Sequence, residues 1–167
     1  MMLVLRFAHV FFGALWVGMM AFQTFFLMPA LADAGPDSGK LMAALMRRRL
    51  PVVMPIVALI TLVSGFWLFQ RLSGGAAAGL MRTAMGMAFG SGGVAALLAF
   101  LVGIVVMRPA MMRSAALGAS LPSATPDERA KISAELQRLR ARGAITGWVV
   151  MILLLYALGA MAVARYL

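Results

Sequence analysis

Residues 52–69 read VVMPIVALITLVSGFWLF, a stretch without any acidic or basic side chain. A helix of about 20 apolar residues is long enough to cross the roughly 30 Å hydrocarbon core of a bilayer. Three further windows are similarly apolar, at residues 7–28, 85–107 and 144–164. Because a lipid-exposed backbone must form its hydrogen bonds within its own helix, the sequence predicts an all-α fold. The expected architecture is a four-transmembrane-helix bundle that forms a single integral membrane domain over residues 1–167.

The composition agrees with this class and excludes several kinds of site. Hydrophobic residues make up 63% and charged residues 12%, whereas soluble domains are about half apolar and about a quarter charged. The sequence contains no cysteine, which excludes disulfides, thiolate metal sites, iron–sulfur clusters, covalently attached haem and a cysteine nucleophile. The net charge of +10 comes from basic residues beside the apolar windows, where they suit lipid headgroups rather than nucleic acid.

The segment between the first two windows has a helical pattern of its own. Residues 38–49 predict an amphipathic interfacial helix that ends in the basic cluster Arg47, Arg48 and Arg49. We expect this cluster to lie at the level of the lipid headgroups. The simpler interpretation is a topological signal, and specific lipid recognition is the alternative.

A second helix is predicted just before the fourth window, at residues 126–142. Thr125 and Glu128 have the spacing of a capping box, in which each side chain bonds the other residue's backbone N–H. We expect this helix to lie in the cytoplasm and to run into the fourth window after a break at Gly143.

The third window is rich in small residues, which let helices approach closely in lipid, where association depends on van der Waals packing. These residues lie on two faces of the predicted helix. One face has Gly86 and Gly90, and the other has Gly92, Ala96, Ala99 and Gly103. We expect one face to pack inside the bundle and the other to meet a second protein or a flat cofactor.

The first window contains the only histidine of the chain, His9. At 100° per residue, one line along this helix holds His9, Gly13, Trp16, Met20 and Gln23. Polar side chains within a membrane usually face the bundle, so this face should point inward. His9 is then either a structural side chain with a local partner or a ligand, with Trp16 and Met20 as further cofactor-contacting candidates. We favour the structural role.

The first window also resembles a group of known membrane proteins. The segment LRFAHVFFGALWVG is similar to the opening helix of copper-resistance D-like proteins, the membrane domain of PuuD-type urate oxidases and HemJ-type protoporphyrinogen oxidases. The matching positions are His9, Trp16 and Gly18, and the similarity continues through residue 69. The resemblance implies a haem b or copper site at His9. The chain departs from the group because it has no second histidine and no lysine in any window. A site would therefore be ligated by His9 and a methionine, by His9 with the second position open, or by residues of two chains in a dimer.

The positions of the carboxylates argue against an enzyme. All five lie between the windows, so no acid/base pair is available at membrane depth: Asp33, Asp37, Asp127, Glu128 and Glu135. We expect a non-catalytic accessory or structural subunit that packs against a larger respiratory or photosynthetic membrane complex. Its partners would be membrane lipids and other subunits or further copies of the chain, with no cofactor of its own, although bound lipid or pigment stays open. The alternatives are a b-type haem or copper-binding electron-transfer protein using His9, and a small-molecule permease or regulator.

Orientation follows from the distribution of lysine and arginine. Most of the fifteen basic residues lie in the segments after the first and third windows. Because such residues are retained in the cytoplasm, we expect both termini on the periplasmic side of a bacterial cytoplasmic membrane.

This topology predicts the accessibility of single cysteines, which the native chain lacks. In intact cells, a membrane-impermeant maleimide should label Leu3→Cys and Leu167→Cys, and should leave Ser133→Cys unlabelled until the cells are opened. Protection of either terminal cysteine in intact cells would contradict the predicted orientation.

Overall fold

The computed structural model describes residues 1–34 and 38–167, and these residues contain helices and turns but no strand. The loop carboxylate Asp37 lies outside the described residues. The helices are α1 (Met2–Asp33), α2 (Ser38–Arg47), α3 (Leu50–Ser73), α4 (Ala77–Leu80), α5 (Ala84–Ser123) and α6 (Pro126–Tyr166). Four of them, α1, α3, α5 and α6, are long and apolar enough to cross a membrane. The predicted all-α, four-span architecture is confirmed.

The four long helices pack as two antiparallel pairs, α1 with α3 and α5 with α6, and the two pairs lie side by side. All four contribute to one buried core, which includes Trp16, Ala58, Ala99 and Met151. Many large apolar side chains on the outside of the bundle are exposed, as expected for a protein whose surrounding solvent is lipid. The amphipathic helix α2 contacts α3 and the C-terminal part of α5.

The third and fourth spans continue well beyond the predicted membrane windows. Helix α6 runs without interruption from Pro126, so the predicted cytoplasmic helix and the fourth span are one helix, and the expected break at Gly143 is wrong. A glycine inside a helix costs only about 1 kcal/mol, which a helix as long as α6 tolerates. Before Gly143, α6 is joined to α5 by a 2.6 Å ion pair between Glu135 and Arg113, and its Leu136 is buried.

Two π-helical turns interrupt the α-helical hydrogen bonding at one end of the bundle, at Gln23–Leu27 in α1 and Gly103–Met107 in α5. Each is followed by a proline two residues later, Pro29 and Pro109. A proline ring clashes with the carbonyl one turn earlier and supplies no N–H. The wider π turn moves that carbonyl away, so both helices continue past a proline without breaking.

The start of α6 has the predicted capping box. Glu128 Oε2 accepts hydrogen bonds from the backbone N–H and the hydroxyl of Thr125 at 2.9 and 2.8 Å. Those bonds lower the pKa of the Glu128 carboxyl below its ordinary value. The predicted interfacial helix is shorter than expected, because α2 ends at Arg47 and Arg49 has the left-handed backbone (φ 58°) that turns the chain into α3.

Candidate functional site

The ring of His9 lies between α1 and α3 and bonds the backbone of the second span. Its Nδ1 is 2.9 Å from the carbonyl oxygen of Thr61. A carbonyl only accepts, so Nδ1 must carry the proton and donate it. In the neutral ring Nε2 is then unprotonated and keeps its lone pair.

Two glycines let α1 and α3 approach closely enough for this bond. A Cβ on Gly65 would lie 2.7 Å from Cε1 and 3.0 Å from Nδ1 of His9, so the imidazole occupies the space that a side chain would need. On the other helix, a Cβ on Gly13 would lie 3.4 Å from Cγ2 of Thr61. The positions of Gly13 and Gly65 therefore fix where the histidine sits.

The hydroxyl groups around the histidine are also occupied. Thr61 Oγ1 donates to the carbonyl of Val57 at 2.9 Å. Ser64 Oγ lies 2.6 Å from the carbonyl of Ile60 and 3.1 Å from that of Thr61. We call His9, Thr61 and Ser64 the polar clamp, because the Thr61 carbonyl receives donors from both spans. The clamp ties α1 to α3, and Nε2 of His9 is the atom it leaves available for further chemistry.

Of the two other cofactor-contacting candidates, Met20 lies too far from His9 to ligate the same metal ion. Trp16 and Met20 are 5% and 2% exposed and lie in the core of the bundle. Met20 lies about three helical turns from His9, a separation of about 16 Å along α1. One bound metal ion therefore cannot be coordinated by both His9 and Met20.

The small-residue face that begins at Gly92 packs inside the bundle. A Cβ on Gly92 would lie 3.3 Å from both the Ala157 carbonyl oxygen and the Ala160 Cβ of α6. Ala96 and Ala99 are buried in the same core. Gly103 differs, because it begins the π turn of α5 and has nothing within 4 Å of its Cβ position.

The face formed by Gly86 and Gly90 contacts the chain itself. A Cβ on Gly86 would collide with the backbone carbonyl of Leu80, and one on Gly90 would lie 2.6 Å from Sδ of Met81. Both neighbours belong to the α4 segment, which connects the two helix pairs. These glycines therefore accommodate a connector, where a second protein or a flat cofactor was expected.

The basic cluster lies at the turn between α2 and α3. Arg47, Arg48 and Arg49 are all exposed. Their contact with lipid headgroups stays a prediction.

The sequence analysis missed the outward face of α1. Two pairs of stacked phenylalanines lie along it, Phe7–Phe11 with ring centroids 5.5 Å apart and Phe22–Phe26 with centroids 6.2 Å apart. Between the pairs, Ala14 and Gly18 are exposed, and nothing lies within 4 Å of the Gly18 Cβ position. We call these six residues the α1 notch. The sequence contains the pattern that would have predicted this face. Two small residues four positions apart lie between two pairs of phenylalanines with the same spacing.

Within residues 1–34 and 38–167, no three His, Asp or Glu side chains are grouped in a way that could hold a metal ion. None of the protein-family models, curated proteins or solved structures compared with this chain matches it.

The contact between His9 and Gly65 predicts the effect of adding one methyl group. Gly65→Ala should lower the stability of the detergent-solubilised protein by roughly 1–3 kcal/mol, because overpacking forces the ring or the helices apart. The measurement is thermal unfolding followed by circular dichroism. The matched control is Gly93→Ala in α5, where nothing lies within 4 Å of the Cβ position. The His9→Ala background should abolish most of the Gly65→Ala penalty, and an unchanged penalty there would contradict the described packing.

Proposed function

We propose that this chain is a non-catalytic accessory subunit of a larger membrane complex, respiratory or photosynthetic, in the bacterial cytoplasmic membrane with both termini periplasmic. The α1 notch is the observation that supports a partner. Two small residues one turn apart let another helix approach closely, and flanking aromatic rings add contact area with little loss of side-chain freedom. The small-residue face of α5 that begins at Gly92 is already packed against α6.

The use of the buried polar groups also favours a structural role. The hydroxyls of Thr61 and Ser64 bond backbone carbonyls of their own helix, and Nδ1 of His9 bonds a carbonyl of the neighbouring helix. Each of these bonds fixes a helix position. The lipid-facing side of α1 is then the surface with features that suit a further membrane helix.

The test compares two bulky substitutions at exposed glycines. Gly18→Leu fills the α1 notch, and Gly159→Leu adds the same side chain on α6, where nothing lies within 4 Å. After mild-detergent extraction from the native membrane, native electrophoresis should show the wild-type chain and Gly159→Leu in a complex larger than the chain. Gly18→Leu should run as the free chain with an unchanged melting temperature.

Two results would count against the accessory role. If Gly18→Leu stays in the larger complex, the α1 notch is not the contact surface. If two differently tagged copies co-purify and account for the whole complex by mass spectrometry, the chain is a homo-oligomer.

The second candidate function is a b-type haem or copper-binding electron-transfer protein, and the tautomer of His9 is the observation that favours it. Histidines that ligate metals commonly donate their other ring N–H to a backbone carbonyl, which orients the ring. His9 has this arrangement, because Nδ1 donates to Thr61 and Nε2 keeps its lone pair. A haem held by Nε2 would then have a second ligand other than Met20, or an open position, or a ligand from another chain.

This alternative predicts a spectrum. Protein purified from cells supplied with haem precursors and copper should show a Soret band or a copper signal that is lost in His9→Ala. Gly18→Ala is the control on the same helix, because it keeps the imidazole and nothing lies within 4 Å of its Cβ position. A colourless, copper-free wild-type preparation would rule this function out.

A further inference from the structure

The basic residues in the part of α6 that precedes the fourth membrane window lie on two opposite faces of the helix. At 100° per residue, Lys131, Arg138 and Arg142 fall within about 40° of one line. Arg129 and Arg140 lie on the other side of the helix. We call the first three residues the basic row.

The two faces differ in the partners of their cations. Arg129 donates to the carbonyl of Pro122 at 3.4 Å, and Arg140 donates to the hydroxyl of Ser38 in α2 at 3.0 Å. Among the described residues, the cationic groups of the basic row have no hydrogen bond or ion pair. One face of α6 therefore uses its cations within the fold, and the basic row does not.

One carboxylate is close enough in sequence to neutralise the basic row, but it pairs with another residue. Glu135 is four positions after Lys131 and three before Arg138, spacings that place side chains next to each other on a helix. Its Oε1 forms the 2.6 Å ion pair with Arg113 of α5. Arg138 and Arg142 are four positions apart, so two like charges are neighbours, which is unfavourable in an isolated helix. The row thus has positive charge that the fold leaves uncompensated.

Much of the basic row lies beyond the reach of lipid headgroups. The 41 residues of α6 rise about 60 Å, twice the roughly 30 Å thickness of a hydrocarbon core. With residues 144–164 in that core, Arg142 is at headgroup level and Lys131 lies about 17 Å further out along the helix. The field of charged lipids decays over about 8–10 Å at physiological ionic strength. A membrane surface can therefore pair with one end of the row but not with the other.

Apolar side chains lie between the cations of this face. The face contains a groove of about 430 Å³ lined by Lys131, Ala134, Glu135, Arg138, Leu139 and Arg142. A partner that fills the groove needs negative charges at the helical spacing of the row and an apolar side chain to contact Leu139. An acidic amphipathic helix has both features. A nucleic acid backbone has the charge but no aliphatic side chain.

We propose that the basic row is a docking surface for an acidic amphipathic helix of another protein, which packs along residues 131–142 of α6 outside the membrane. Carboxylates of that helix pair with the three cations, and an aliphatic side chain contacts Leu139. Charge pairs at such a surface determine specificity and association rate more than affinity. The surface is distant from the α1 notch, so this proposal stands whether or not the chain is an accessory subunit.

The first test measures whether the spacing of the charges is recognised. The full-length chain in phosphatidylcholine nanodiscs is titrated into two labelled helical peptides, and binding is followed by fluorescence anisotropy. The matched peptide has glutamates at the spacing of the row and leucines between them, and the control peptide has the same composition in scrambled order. We expect the matched peptide to bind about tenfold more tightly, with an affinity that falls as salt is added. Equal affinities would mean unspecific charge attraction and would overturn the proposal.

The second test removes the charges of the surface. The triple variant Lys131→Gln, Arg138→Gln and Arg142→Gln should bind the matched peptide roughly tenfold more weakly. Its melting temperature should not change, because these cations have no partner to lose. The control replaces the exposed cluster Arg47–Arg49 with glutamines, which removes the same charge, and should keep the peptide affinity of the wild type. An equal loss in both triple variants would contradict the proposal, since net charge alone would then attract the peptide.

A single fluorophore distinguishes the proposed partner from lipid and nucleic acid. Because the native chain has no cysteine, bimane can be attached at Ala134→Cys in the groove. A matched peptide with one tryptophan should quench it, and phosphatidylglycerol with a nitroxide on its headgroup should not. Strong quenching by this lipid would show that the row lies on the membrane. Tighter binding of a single-stranded RNA than of the matched peptide would show recognition of phosphates, and either result would refute the proposed partner.

Discussion

Inside a bilayer no bulk water is available to a backbone N–H or carbonyl, and each unpaired group costs several kcal/mol. This constraint explains why the chain is helical wherever it spans, and also where it departs from regular α-helix. Pro29 and Pro109 each remove a backbone donor from a spanning helix. In both helices the backbone forms a π turn before the proline, and the helix continues without a break. The carbonyls that the helices cannot satisfy then become the positions where polar side chains or water are needed.

The two π turns differ in what their side chains provide. The N–H before each proline bonds the carbonyl five residues earlier, Met28 to Gln23 and Arg108 to Gly103. In the same register the next donors would be Pro29 for Thr24 and Pro109 for Ile104, and proline has no N–H. The threonine adds a hydroxyl to the unpaired carbonyl, whereas the isoleucine adds only apolar surface. The same backbone feature therefore carries a polar side chain in one helix and an apolar side chain in the other.

The spans, the capping box at Thr125 and the inward direction of the His9 face could all be predicted from sequence, because each depends on residues close together in the chain. The hydropathy of a window and the period of a helix need no knowledge of neighbours. The π turns, the unbroken helix at Gly143 and the partner of Glu135 were missed. Each of these depends on contacts between helices or on a choice between two hydrogen-bond registers, which local patterns do not determine.

Glycine shows why the candidate site was harder to predict than the fold. Gly65 makes room for an imidazole, Gly92 for the backbone of α6, and Gly86 for the connector, while Gly18 faces outward with nothing against it. All four occur in apolar windows with other small residues nearby, so spacing alone assigns them the same role. What distinguishes them is the element that each faces.

The histidine raises the question of why an imidazole is used for a bond that a simpler side chain could make. The hydroxyl of a serine or threonine on α1 would donate to a carbonyl of α1 itself. Thr61 and Ser64 make such bonds within α3. The ring nitrogen of His9 instead bonds the Thr61 carbonyl of the neighbouring span. An imidazole therefore converts a hydrogen bond that would stay within one helix into one that joins two. Its second nitrogen remains unbonded as a result, which is why the same geometry suits both a structural clamp and an oriented ligand.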